Sequence, residues 1–135
     1  MDSRELLNDE DLKQIVGGVG TGAGMADWAL RAYNEGWSYV WGGASPGSVD
    51  ASGLISSYAG TAHNAEAMFA TAPVSGSIST MPDIPGIGVY MPGHVGVYVG
   101  GGMAICALNE SVGIVCKPCS GTSWTHWFQI PGVSY

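Results

Sequence analysis

Apolar and polar positions follow different patterns in the two halves of the chain. In residues 25–35 the apolar side chains recur on one helical face, and Gly36 marks the end of the predicted helix. From residue 84 onward, apolar positions alternate with others, which is typical of β-strands. Helices first and an antiparallel sheet second predict an α+β fold.

Shorter signals divide these halves into elements. Asp50 is a good N-cap for a helix over 51–59, and residues 64–71 are expected to form a short helix. Residues 92–93 (PG) suit a tight turn between two strands. The strands are expected at 86–91, 94–99, 103–107, 112–116 and 124–130.

Composition excludes several classes of function. The 135 residues suit one domain, and 46% apolar residues are too many for a disordered chain. A net charge of −7 with only four basic residues argues against binding to nucleic acids or anionic membranes. No segment has the pattern of a transmembrane helix or a Sec signal peptide. The histidines lack the spacing of metal ligands, so we expect no metal.

The composition changes sharply at Gly17 and Gly18. Residues 1–16 are charged and helix-favouring, and a Gly-rich stretch follows them. Composition alone is compatible with an N-terminal arm and a flexible linker. The segment also resembles the double-glycine leaders of bacteriocin precursors, which implies cleavage after Gly18. The resemblance assigns leader recognition to Leu7, Leu12 and Ile15.

Two further segments carry a pattern typical of catalysis. The first comprises residues 39–43 (YVWGG) and 49–55 (VDASGLI), and the second is 92–100 (PGHVGVYVG). Together they resemble the NlpC-type cell-wall cysteine peptidases of the papain-like clan, which are related to the CHAP amidases. In that family a cysteine opens a helix where this chain has Ala51, and a strand histidine corresponding to His94 is the base.

This resemblance implies a papain-like fold, with N-terminal helices packed on an antiparallel sheet. The unpaired N–H groups of a helix N-terminus stabilise a thiolate and receive an oxyanion, while an imidazole transfers the proton. The third, orienting position of the family falls at Cys106, where relatives carry a polar group. The positions expected to bind substrate are Tyr39, Trp41, Asp50 and Ser52.

Position 51 departs from the family pattern. Ala51 has no nucleophile, and the neighbouring Ser52 is one residue off, so its side chain is expected to point elsewhere. Either the cysteine was replaced deliberately, or the natural protein has lost catalysis. The surrounding motif is otherwise intact, which favours replacement.

Strand register decides whether Cys106 can serve as the third residue. If the hairpin folds about Gly100, His94 lies opposite Cys106 on the same side of the sheet. A two-residue turn at Gly100 and Gly101 instead moves Cys106 to the other face. A thiol is a weak acceptor, so the residue is equally well explained as a small buried apolar side chain.

Other cysteines and histidines have simpler interpretations. Cys116 and Cys119 are expected to form a small disulfide loop or to remain free thiols. His63 lies in a polar turn and is expected to face solvent, whereas His126 is expected to be a buried or stacked structural residue.

The resemblance predicts a secreted peptidoglycan hydrolase that cleaves stem-peptide amide bonds without a cofactor, here inactive at position 51. Alternatives are a cell-wall-binding module without catalysis, or an antibacterial cargo. A peptidase-containing ABC transporter is expected to export the cytoplasmic precursor and remove its leader. The expected organisation is a leader at 1–18, a linker at 19–24 and a peptidase domain at 25–135.

Overall fold

A computed structural model of the chain describes residues 20–135. The leader prediction, with its recognition positions at Leu7, Leu12 and Ile15 and its cleavage site at Gly17 and Gly18, lies outside the described residues.

Three α-helices occur in the described residues, and local side chains define where each begins. They are α1 (Gly22–Glu35), α2 (Ala51–Ala59) and α3 (Ala65–Ala70). The N-cap side chains of Thr21, Asp50 and Asn64 each accept a hydrogen bond from a backbone N–H of the first turn. Within residues 20–135, no helix is both long and apolar enough to cross a membrane.

The strands form one large sheet and two small ones. In chain order they are β1 (Gly20–Thr21), β2 (Ser38–Tyr39), β3 (Ala44–Ser45), β4 (Ser48–Val49), β5 (Ser75–Ser77), β6 (Gly88–Met91), β7 (His94–Gly100), β8 (Met103–Asn109), β9 (Gly113–Pro118), β10 (His126–Phe128) and β11 (Val133–Ser134). The large sheet is antiparallel, in the order β5-β10-β6-β7-β8-β9. Strands β2, β4 and β3 form a second sheet, and β1 pairs with β11 in parallel. This arrangement confirms the predicted α+β fold.

Both faces of the large sheet are covered. Val95 and Val97 of β7 are fully buried in the main core, together with Leu54 and Ile55 of α2. The alternate residues of the same strand point to the other face, where Tyr98 belongs to a smaller apolar cluster. That cluster is covered by a segment that precedes β10 and includes Trp124.

Residues 20–24 correct the expected domain organisation. The sequence predicts a flexible linker at 19–24, but Gly20 and Thr21 form β1, and α1 begins at Gly22. A Cβ atom at Gly20 or Gly24 would overlap the ring of Tyr58. These glycines therefore permit close packing against an aromatic ring, and the fold begins before residue 25.

The helix α2 approaches the preceding loop so closely that Gly53 has no room for a side chain. A Cβ atom there would overlap the carbonyl oxygen of Gly43, which is backbone and cannot move aside cheaply. We expect Gly53→Ala to lower the free energy of unfolding by about 1–3 kcal/mol, although alanine is the better helix former. Urea denaturation of the purified chain measures this change.

Ser56→Ala is the matched control in the same helix. Its side chain makes only a 3.4 Å hydrogen bond to the Gly53 carbonyl, so we expect a change within about 0.5 kcal/mol. Equal stability of the Gly53→Ala variant and the parent chain would contradict the close approach.

Candidate active site

Position 51 is the first residue of α2, and Asp50 fixes the start of this helix. Oδ1 of Asp50 accepts the Gly53 N–H at 2.7 Å, and Oδ2 accepts the Gly42 N–H at 2.9 Å. The Asp50 N–H itself donates to the Gly43 carbonyl at 3.0 Å. Asp50 thus joins the loop that contains Gly42 and Gly43, the glycine loop, to the helix. Ala51 therefore lies at a helix N-terminus, as predicted.

His94 is the first residue of β7 and follows the predicted turn at residues 92–93. Helix α3 holds this turn, because Glu66 accepts hydrogen bonds from the Gly93 N–H at 2.5 Å and from the Tyr90 hydroxyl. These two bonds lower the pKa of Glu66, the Tyr90 bond having the larger effect. The Tyr90 ring also stacks on Phe69 of α3, with centroids 4.0 Å apart.

Ala51 and His94 line the same open cleft, which has a volume of about 340 Å³. The helix N-terminus and the strand histidine are therefore brought together from the two halves of the chain. Trp41 forms an exposed rim of this cleft, with 82% of its surface accessible. The four residues expected to bind substrate, Tyr39, Trp41, Asp50 and Ser52, all line the cleft.

His63 was not expected at the site. The sequence places it in a solvent-exposed turn, but its Nε2 lies 2.6 Å from Oδ1 of Asp50 and its ring lines the cleft. The residue is solvent-exposed, as predicted, with 31% of its side-chain surface accessible, and only its contact with Asp50 was unexpected. His63 is 13 residues from Asp50 along the chain, and no local pattern in the sequence indicates the contact.

Most of the hydrogen-bonding capacity of the Asp50 carboxylate is used within the protein. Besides the backbone donors and His63, it accepts a long 3.5 Å hydrogen bond from the Ser52 hydroxyl. Ser52 is buried, and its hydroxyl turns to Asp50, in agreement with the expectation that it does not take the place of the nucleophile. Oδ1 of Asp50 is thus shared between the cap of α2 and the ring of His63.

The His94 ring is held in an apolar setting. Its Nε2 is buried and has no hydrogen-bond partner among the described residues, and burial lowers the pKa of the imidazole. One face of the ring stacks on Trp124, with centroids 5.4 Å apart and an interplanar angle of 4°. A low pKa favours the neutral imidazole, which is the form that a general base requires.

Cys106 shares a face of the sheet with His94 but is not directly opposite it. The pairs Val97–Ile105 and Tyr98–Ala104 place Cys106 opposite Gly96 when the register is continued by one position. The alternative in which His94 pairs directly with Cys106 is not formed, because Gly100 pairs with Met103 across a turn at residues 101–102 and the register then shifts by one between Gly100 and Tyr98.

Of the two alternatives for Cys106, the structure has the one in which it shares a face of the sheet with His94, and both side chains line a second cavity of about 300 Å³. Burial raises the pKa of the Cys106 thiol to about 11, so the thiol is neutral near pH 7. No hydrogen bond joins it to Nε2 of His94 in the described part of the chain.

The remaining cysteines and His126 lie outside the cleft. Cys116 and Cys119 are free thiols in the structure, so the alternative of a disulfide loop is not formed. Burial, followed by the proximity of Cys116, raises the pKa of Cys119. His126 is half-buried and packs on Phe69 at a tilt of 56°, with centroids 5.2 Å apart, so it is neither fully buried nor stacked face to face as expected. Residues 20–135 contain no group of three or more potential metal-ligating side chains arranged to hold a metal ion.

Comparison with known proteins identifies the same fold. Residues 36–132 match the NlpC/P60 family. No curated protein sequence matches the chain. Among solved structures, the NlpC/p60 domain of the peptidoglycan hydrolase SagA aligns with a TM-score of 0.63 and 23% identity, over 82% of this chain and 99% of that domain.

Two further structures show the same likeness. NlpC2 from Trichomonas vaginalis has a TM-score of 0.64 and 18% identity, over 78% of this chain and 46% of its own. The peptidoglycan hydrolase RipB from Mycobacterium tuberculosis has a TM-score of 0.58 and 20% identity, over 81% of this chain and 66% of its own. The chain spans less than half the length of the Trichomonas chains that it matches. At these identities the structural likeness shows the fold alone.

The lowered pKa of His94 makes stability depend on pH. The imidazole binds a proton more readily in the unfolded chain than in the folded one. The stability that the neutral, buried ring contributes is therefore fully present at pH values above its ordinary pKa of 6.5. We expect the free energy of unfolding to fall as the pH drops through 6.5 towards the pKa of the folded state. Urea denaturation at a series of pH values measures the decrease.

His94→Gln is the control, since it removes the titrating group. Its stability should vary less between about pH 7.5 and pH 5.5 than that of the parent chain. The lowered pKa values of Glu35 and Glu66 act in the same direction, but only around and below pH 4.5. An unchanged pH dependence in the His94→Gln variant would count against the burial of this ring.

Proposed function

This chain belongs to the NlpC/P60 family, and we propose that it is a stem-peptide hydrolase of that family in which Ala51 occupies the nucleophile position. In this form it binds a peptidoglycan stem peptide in the cleft and does not cleave it. The observation that carries the proposal is the cleft itself, where the N-terminus of α2 and the ring of His94 lie together. The names of the SagA and RipB structures, both peptidoglycan hydrolases, support the choice of substrate class.

The geometry is suited to acyl transfer once a thiol is present at position 51. His94 would take the thiol proton, and the thiolate would attack the carbonyl carbon of a stem-peptide amide. Backbone N–H groups at the start of α2 would receive the oxyanion of the tetrahedral intermediate. The C–N bond then breaks, the leaving amine takes the proton from His94, and water releases the acyl group from the thiol. These steps need no metal or organic cofactor.

Compared with the cysteine that the family carries at this position, Ala51 lacks only the attacking thiol. Among the described residues that line the cleft there is no cysteine, and the single serine, Ser52, directs its hydroxyl to Asp50. Cys106 lies in the second cavity, and its neutral, buried thiol is a poor nucleophile. The parent chain therefore keeps the binding surface without a nucleophile in the cleft.

Restoring the thiol tests this proposal. We expect Ala51→Cys to release new amino termini from purified stem peptides and wall fragments, whereas the parent chain releases none. Adding His94→Ala to the Ala51→Cys variant should lower the rate about 10²–10⁴-fold, because the general base is lost. Chromatography with amine labelling measures the products.

Ala51→Ser is the matched control for size and polarity. A hydroxyl is far less readily ionised than a thiol, so this variant should remain much slower than Ala51→Cys. If Ala51→Cys binds stem peptides but cleaves none of them, the protein is a cell-wall-binding module instead. Failure of the parent chain to bind any stem peptide would contradict both functions.

We also propose that residues 1–18 are a double-glycine leader, so that a peptidase-containing ABC transporter exports the protein from a bacterium. The support is the pattern of Leu7, Leu12 and Ile15 before Gly17 and Gly18. An extended pair of glycines suits a narrow protease cleft, because neither residue has a side chain. The secreted protein would then act on cell walls, either of the producer or of a competitor.

Leader removal provides a separate test. We expect Leu12→Ala or Ile15→Ala to abolish cleavage after Gly18 by the isolated peptidase domain of such a transporter, because each removes an apolar recognition contact. Mass spectrometry of the products measures cleavage. Glu10→Ala, a change at a charged position of the same segment, should be cleaved like the parent chain. Normal cleavage of both apolar variants would exclude the leader function.

A further inference from the structure

The His94 ring has a stacking partner in place of a hydrogen-bonding one. Nε2 is the ring nitrogen that is both buried and without a partner in the described residues. The ring of Trp124 lies parallel to the imidazole, with an interplanar angle of 4° and centroids 5.4 Å apart. A parallel ring at this distance restricts rotation of the imidazole about its side-chain bonds.

Trp124 is itself held firmly against the sheet. Its ring packs on the apolar cluster that includes Tyr98 and Ala104. The next residue anchors the segment to β6, because the Thr125 N–H donates to the Tyr90 carbonyl at 2.8 Å and the Thr125 hydroxyl donates to the same oxygen at 3.1 Å. The indole therefore has a defined place beside His94.

Gly96 provides the space for the indole. A Cβ atom at this position would lie 3.1 Å from two atoms of the Trp124 ring, which is tighter than ordinary packing. Gly96 is two residues from His94 on the same face of β7, and the register places Cys106 opposite it. The indole thus lies on the sheet beside the position where relatives carry their third, polar residue.

Cys106 does not perform the task of that third residue here. Its thiol makes no hydrogen bond to Nε2 of His94, and a thiol is a weak acceptor in any case. Burial also keeps it neutral, with a pKa of about 11, so it supplies no negative charge to stabilise an imidazolium. Another group must orient the His94 ring.

We propose that Trp124 is the positioning residue of His94, and that its stacked indole orients the imidazole in place of a hydrogen-bonding third residue. The catalytic part of this inference rests on the proposed function. The stack keeps Nε2 inside the protein, which leaves Nδ1 as the ring nitrogen available to take a proton from the cleft. The indole face also stabilises the imidazolium that forms on proton transfer, through a cation–π interaction.

Nuclear magnetic resonance of the parent chain tests the stack without any catalysis. The ring-proton signals of His94, assigned by their absence in His94→Gln, should be displaced upfield by the indole ring current. Trp124→Phe keeps an aromatic face and should keep a displacement, whereas Trp124→Leu should lose it. Trp127→Leu is the matched control, because Trp127 packs on the same apolar cluster but does not stack on His94.

Kinetics in the Ala51→Cys background test the positioning role. We expect Trp124→Leu to lower kcat about tenfold or more with little change in KM, because a misoriented base acts after the substrate is bound. Trp124→Phe should restore most of kcat. Trp127→Leu should change kcat far less than Trp124→Leu does.

Two results would overturn the proposal. One is a Trp124→Leu variant that folds normally and keeps the displaced His94 signals. The other is a loss of kcat that is as large in Trp127→Leu as in Trp124→Leu, which would indicate a general loss of packing. An inactive Ala51→Cys variant would instead refute the proposed function, while the resonance experiment still decides whether Trp124 orients His94.

Discussion

The structure depends on the close approach between the first turn of α2 and the backbone of Gly43. The Gly43 carbonyl accepts the Asp50 N–H at 3.0 Å, and the same oxygen leaves no room for a side chain at Gly53. Asp50 then caps the helix and binds the Gly42 N–H. The glycine loop and the helix therefore form one unit, and position 51 is placed at the cleft by backbone contacts rather than by its own side chain.

His94, the second component of the cleft, comes from the large sheet rather than from the helices. Burial of Val95 and Val97 against the helices sets which residues of β7 face which side, and a slip of one position would invert them. Glu66 of α3 also fixes the turn before His94 through two hydrogen bonds. The position of the imidazole relative to α2 is thus determined by the packing of the two layers, with α3 joining them.

These contacts explain how a complete family motif can surround an alanine. The cap, the glycine contact and the strand register stabilise the fold whether or not position 51 carries a thiol. The Ala51 side chain packs against the main core and takes part in none of the hydrogen bonds described. On the side away from this cleft, Nε2 of His94 has no hydrogen-bond partner within residues 20–135, and the ring stacks on Trp124. The contacts that place position 51 and His94 are therefore independent of the side chain at position 51.

Local signals in the sequence were sufficient for the helix over 51–59, its Asp50 cap and the turn before His94, because capping and strand alternation act between near neighbours. The NlpC-type fold followed from motifs in their expected order, and the family match confirms it. Only the tertiary structure brought His63 to Asp50 and Trp124 to His94, since these contacts join segments with no common pattern. It also decided the place of Cys106, because consecutive glycines at 100–102 permit several turns and packing selects one.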